Sequence, residues 1–341
     1  MTATRRAYIA IVILLAGLAA ALRLDAQTDA QLSQYFEVPA YYNPAAIGLE
    51  DRIRIRAGSR MQWIGIDNAP RTFLATADMP LRLFGKRFGV GLVAQQESAG
   101  LFRNLTIDAQ LAYKVKLFKG ELTAGVRAGY ASEQFKGSDL YLPDDDDFHE
   151  GTDEALPSTD VSGGALDLGA GVWYSHKWFW AGISGTHLNQ PTIRFSEGNG
   201  ADGSRADGET ATGSTEREYE FQLRRQLYFM GGSNIPVKNT LFEVMPSVMV
   251  KTDFTTWRAE LTARLRWKKF LTAGIGYRYD DALIVLLGAE FKGFYIGYSF
   301  DYPTTAVNKA SSGSHEIIAG YALRLNLNEK NKNKHKSIRI M

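Results

Sequence analysis

Between Thr256 and Lys268 the chain changes character at every residue. Trp257, Ala259, Leu261, Ala263, Leu265 and Trp267 fall on one face of an extended backbone; Arg258, Glu260, Thr262, Arg264, Arg266 and Lys268 fall on the other. Side chains of a strand point alternately to its two faces, so this segment has one apolar and one strongly charged surface. The two tryptophans bracket small and aliphatic residues, as aromatic girdles bracket the lipid-facing band of a membrane barrel. Leu105 to Val115, Leu122 to Tyr130 and Phe294 to Tyr302 repeat the alternation. The mean hydropathy of -0.21 fits, because lipid-facing and lumen-facing residues average to mild polarity.

Dividing the chain by this period predicts an all-β fold, a transmembrane antiparallel β-barrel of about fourteen strands, each near the ~9–11 residues that cross a bilayer at a tilt. The strands are expected at 51–60, 71–80, 87–97, 104–116, 121–134, 163–175, 177–187, 219–232, 240–251, 256–267, 270–280, 282–291, 293–302 and 314–326. Connection lengths support the division. Every second connection is short, and the two long ones, 135–162 and 188–218, share the other parity. Short periplasmic turns and long outer loops are the rule for outer-membrane barrels. A soluble sandwich also alternates, but it leaves the girdle aromatics and the charged opposite face without a reason. Lipid offers no hydrogen bonds, so the sheet is expected to close.

The ends carry their own signals. Arg5 and Arg6 precede an uncharged apolar run from Ala7 to Leu22, and Leu24-Asp25-Ala26 places a small residue before Gln27. This reads as a secretory signal over 1–26, and the run is shorter than the ~20 residues of a membrane anchor. Residues 27–50 form a polar, aromatic segment expected in the periplasm, where Pro39 and Pro44 oppose a regular helix or a central strand. Residues 51–326 make the barrel and 327–341 a basic periplasmic tail.

Little in the chain points to catalysis or cofactors. The net charge of +2 gives no general affinity for nucleic acid, and the absence of cysteine removes disulfides, thiolate metal sites and a Cys nucleophile. The run Asp144 to Asp147, with His149, Glu150, Asp153 and Glu154, lacks calcium-loop spacing and reads as a solvated acidic loop. Gly198 to Ser214 reads as a flexible outer loop. Gly169-Ala170-Gly171 and Gly274-Ile275-Gly276 precede no helix, so they are read as strand glycines of a curved wall. His315, between Ser314 and Glu316, is the nearest approach to a hydrolase set, and no catalytic residue, metal site or cofactor is assigned. The lumen is expected to hold Arg54, Arg56, Glu220, Arg224, Arg258, Glu260, Arg264 and Arg266, a mixed-charge filling in place of an open channel.

Two terminal motifs carry a family resemblance. Gln31-Leu32-Ser33-Gln34-Tyr35-Phe36, followed by Tyr41-Tyr42-Asn43-Pro44-Ala45-Ala46-Ile47-Gly48, resembles the opening of the PorP/SprF proteins of the type IX secretion system. Gly297 to Tyr302, Gly313 to Ile317 and Gly320-Tyr321 resemble its closing strands, and Gly276 to Tyr279 agrees. The resemblance implies an outer-membrane barrel of the secretion and gliding machinery. Its partners would be outer-membrane lipid, a periplasmic ring lipoprotein and peptidoglycan-binding components, or secreted adhesin cargo. Tyr35, Phe36, Tyr41, Tyr42, Asn43, Pro44 and Gly48 are the candidate partner-docking residues. The alternative is a porin-like or hydrophobic-solute channel.

Overall fold

The structure is a computed structural model that describes residues 29–139, 157, 159–197 and 217–325. The signal over 1–26, the acidic run, the Gly198 to Ser214 segment and the 327–341 tail lie outside the described residues.

The first half of the sheet runs β1 (Arg52–Met61), β2 (Arg71–Leu83), β3 (Lys86–Ala99), β4 (Phe102–Leu117), β5 (Gly120–Lys136), β6 (Asp160–Ser175) and β7 (Phe179–Thr186). A separate hairpin follows, β8 (Thr192–Glu197) and β9 (Arg217–Gln222). The wall resumes with β10 (Gln226–Ser233), the two-residue β11 (Ile235–Pro236), β12 (Phe242–Thr252), β13 (Trp257–Trp267), β14 (Leu271–Arg278), β15 (Ala282–Phe291), β16 (Phe294–Pro303) and β17 (Ser314–Arg324). Strands β1–β7, β10 and β12–β17 pair antiparallel in chain order. The pairing of β1 with β17 and of β10 with β12 closes a 14-strand barrel.

The barrel is inside-out relative to a soluble domain. Ile275 points outward and is 68% exposed, whereas Arg278, on the opposite face of the same strand, is 1% exposed. Leu261, Leu287 and Ile296 are exposed as well, and Arg60, Arg127, Lys251 and Glu260 are buried. Apolar groups toward lipid and paired charges toward a closed interior are what a bilayer solvent demands.

One expected strand divides in two. The segment 219–232 is interrupted at Leu223-Arg224-Arg225: β9 pairs with β8 outside the wall, and only β10 joins the barrel. Glu220 and Arg224 are therefore exposed rather than lumenal, and Glu220 pairs with Arg194 on the hairpin at 3.0 Å.

The wall is uneven in height. Strands β4, β5 and β6 have 16, 17 and 16 residues, whereas β7 and β10 have 8 each. The tall side projects at the long-loop rim, and β8–β9 leans on its inward face. Ile193, Phe195 and Leu223 pack there on Ala131, Phe135 and Val161. The hairpin thus covers part of that mouth.

Candidate functional site

The residues before β1 fill the lumen. They fold into three single helical turns, Tyr35–Glu37, Pro39–Tyr42 and Pro44–Ala46, each too short to persist without neighbours. Tyr35, Tyr42, Ala45, Ala46 and Ile47 are almost wholly buried, against wall residues that include Leu74, Val93, Trp173, Met230 and Met249. The segment assigned to the periplasm, and expected to fold into or beneath the barrel with a periplasmic docking face, is a plug inside it. Its aromatic rings have an apolar seat inside the barrel that water would not provide.

The plug is latched at the long-loop end by buried charge. The Asp29 carboxylate lies 2.9 Å from His187 Nε2 and accepts hydrogen bonds from Thr186 and Tyr228. Lys251 Nζ donates to the Asp29 carbonyl at 3.0 Å. His187 Nδ1 faces Asp167 at 2.9 Å, Asp167 accepts from Arg127 at 2.8 Å, and Arg127 pairs with Asp108 at 3.3 Å. Burial alone would lower the His187 imidazolium, but the facing Asp29 carboxylate, with hydrogen bonds to Asp167 and Asp29, raises it to about 9. Burial pushes the Asp29 carboxyl up, and the His187 charge more than reverses this, holding it well below the usual carboxylate range. Both groups are ionised near neutrality.

A second latch centres on Ser33. Its hydroxyl donates to the Asp301 carboxylate at 2.7 Å and accepts from Arg60 at 3.0 Å and Arg278 at 2.8 Å. Its backbone N–H and that of Gln34 donate to the two Glu316 oxygens at 2.8 and 2.9 Å. Around this hydroxyl the wall charges pair with one another: Arg60 with Asp301 and Glu316, and Arg278 with Glu260, Asp281 and Asp301. Such a cluster is stable in a low dielectric only when every member is partnered.

Toward the short-turn rim the contacts become steric. Asn43 caps the Pro44–Ala46 turn through Ala45 N at 2.8 Å, and its amide donates to the carbonyls of Val172 and Ile183 in β6 and β7. A Cβ on Gly171 would stand 2.2 Å from Asn43 Oδ1, and one on Gly125 would stand 2.4 Å from the Pro44 backbone. The wall glycines are therefore places where plug and sheet touch. Gly48 has φ +58° and lies against Gly89, its N–H donating to Asp78, which also pairs with Arg54. Lys114 donates to the Leu49 carbonyl at 2.7 Å, where the chain turns into β1.

The sequence profile of the type IX secretion system membrane protein PorP/SprF matches residues 24–321. The chain belongs to the PorP/SprF family. Among curated proteins none matches this PorP/SprF chain. Solved barrels do. The toluene transporter TbuX of Ralstonia pickettii is similar with a TM-score of 0.51 at 12% identity, over 85% of this chain and 94% of that one. The P. putida toluene transporter TodX follows at 0.45 and 10%, over 84% and 94%, and Acinetobacter baumannii Omp33 at 0.40 and 8%, over 82% and 100%. At these identities the likeness to TbuX shows the fold alone. A closed 14-strand barrel of this family is an outer-membrane component of type IX secretion. The outer-membrane rule would turn its short-turn rim to the periplasm and its long-loop rim to the exterior.

In this PorP/SprF protein the seven residues singled out for partner docking are brought together, but inside. Tyr35, Tyr41, Tyr42, Asn43, Pro44 and Gly48 are buried and Phe36 is partly buried, its ring 3.3 Å beneath the Arg264 guanidinium. As placed, they dock on the chain's own wall. Arg54, Arg56, Glu260, Arg264 and Arg266 do line the lumen, and Arg258 pairs with Asp281. His315 turns to the lipid face and meets Tyr298 OH at 2.6 Å, whereas Ser314 and Glu316 point inward, so the three form no common set. Sequence reasoning missed Asp29, Ser33 and His187. For Ser33 a signal existed, a small polar residue at the centre of the family's opening motif.

Proposed function

We propose that this protein works in type IX secretion by binding, with the barrel as a sealed outer-membrane anchor for periplasmic ring and peptidoglycan-binding parts or for adhesin export. The observation that carries this reading is the lumen: in a PorP/SprF barrel it is occupied from Asp29 to Leu49 by the chain's own plug. A machine part that holds others in a membrane needs a rigid, non-leaking body more than it needs a pore. The charged and occupied interior weighs against the porin-like or hydrophobic-solute alternative, and no catalytic step is assigned.

The experiment is deletion of the gene followed by complementation. Loss of surface export for proteins bearing the system's C-terminal signals, with small-solute uptake unchanged, is the expected result. Normal export with a solute-uptake defect would overturn the proposal. Capture of a tagged, detergent-solubilised protein should bring down periplasmic machine components or an adhesin.

A further inference from the structure

The short-turn rim has a chemistry that the secretion reading does not use. It has six turns, and each carries an exposed lysine in the turn or, for Lys86, on the strand residue next to it: Lys86, Lys119, Lys177, Lys238, Lys268 and Lys292. Among the described connections and terminal strand residues of the opposite rim there are two lysines, Lys309 and Lys136, the latter paired with Asp139. We infer that the short-turn rim is a collar for anionic phospholipid headgroups of the periplasmic leaflet.

Three observations carry this. First, the ammonium groups are held on the flank of the barrel. Lys268 Nζ lies 4.6 Å from the Trp267 ring centroid, Lys292 5.2 Å from Phe291, Lys177 4.9 Å from Trp178 and Lys86 5.8 Å from Tyr113. Trp267, Phe291 and Tyr113 face lipid from their strands, so the cations sit where hydrocarbon gives way to headgroups. Second, the acids of that end are paired with arginines and lysines of the wall: the exposed Glu50 with Arg52 and Asp51 with Arg87, and three more turned inward. Glu121, Glu243 and Glu290 point into the lumen, where Glu121 pairs with Arg87 and Lys114, Glu243 with Arg266 and Glu290 with Arg52.

Third, three of the six lysines, Lys119, Lys268 and Lys292, are kept against backbone preference. Two-residue hairpins favour Asn-Gly because both positions need positive φ. In the two-residue turn 118–119, Phe118 and Lys119 sit at φ 46° and 63°, and in the three-residue turn 268–270, Lys268 and Lys269 sit at 50° and 56°. Bulky and charged residues held in the left-handed region mark a use for the side chain. The lysines recur around the full circumference, as a lipid leaflet does; a protein docked on one side would require them on one arc.

The test uses the full chain in nanodiscs of phosphatidylcholine mixed with labelled phosphatidylglycerol, reading energy transfer from the rim tryptophans to the label. The expected result is a several-fold enrichment of phosphatidylglycerol beside the protein, weakened by salt. A variant with the six lysines replaced by glutamine should lose it, and the arginine counterpart should keep it. Heat-modified electrophoretic mobility checks that each variant is folded. Absence of enrichment around the unsubstituted protein, or enrichment unchanged in the folded glutamine variant, overturns the inference. So does a glutamine variant that keeps its lipid preference but releases an acidic periplasmic protein, which would make the rim a protein dock. If the glutamine variant does not fold, the salt dependence of the unsubstituted protein decides.

Discussion

The hydroxyl of Ser33 stands 2.8 Å from the Arg278 guanidinium, although the two residues lie 245 positions apart in the chain. The contact ties a neutral hydroxyl of the plug to a buried wall cluster in which Arg60 and Arg278 are shared among Asp301, Glu316, Glu260 and Asp281. Ser33→Ala removes a hydroxyl that bridges Asp301, Arg60 and Arg278. A cost of about 1–3 kcal/mol is expected, the range for leaving buried polar partners unsatisfied. Urea unfolding of the barrel in detergent would register it, and proteolysis of the plug should quicken.

Arg278 holds Glu260, Asp281 and Asp301 together and is itself 1% exposed. Arg278→Met leaves buried carboxylates uncompensated, which costs roughly 3–5 kcal/mol when one partner of a buried pair is removed. This loss should exceed that of Ser33→Ala in the same unfolding assay.

Gly125→Ala tests the steric seat. The new methyl group would meet Pro44 carbonyl carbon and oxygen at 2.4 Å, and backbone cannot step aside as a flexible side chain can. Overpacking of a filled interior costs about 1–3 kcal/mol. The barrel should still form, because β4–β5 and β5–β6 pairing does not use that methyl position. The plug should become accessible to protease.

The Asp29–His187 pair gives the plug a pH dependence. His187 is raised from an ordinary 6.5 to about 9, so its contribution is complete below about pH 6.5 and is lost as pH rises through about 9. Asp29 is shifted the other way: its contribution is present above its ordinary 3.8 and fades as pH falls below it. Plug protection from protease should therefore hold between those limits and weaken at either side. His187→Gln should remove the alkaline limb.

Much of the barrel was legible because period-two alternation fixes which face each strand turns to lipid, and a one-residue slip would reverse it. The hairpin was less legible. Tyr219, Phe221 and Leu223 bury odd positions, whereas Gln226, Tyr228 and Met230 bury even ones. That change of phase at Arg224-Arg225, with no Gly or Pro to mark it, is the trace of the boundary. The plug has no period at all, since its three short turns take their shape from the wall. Its location is written instead in the wall, at Gly125 and Gly171, and that meaning emerges only when Pro44 and Asn43 are placed against them. The Asp29–His187 contact spans 158 residues and has no local signature.

Ion conductance across a planar bilayer, compared between the intact protein and a chain lacking Asp29 to Leu49, addresses the seal itself. The intact protein should stay closed at neutral pH, and the shortened chain should show discrete openings. A large, steady current through the intact protein would contradict a lumen filled by its own N-terminal segment.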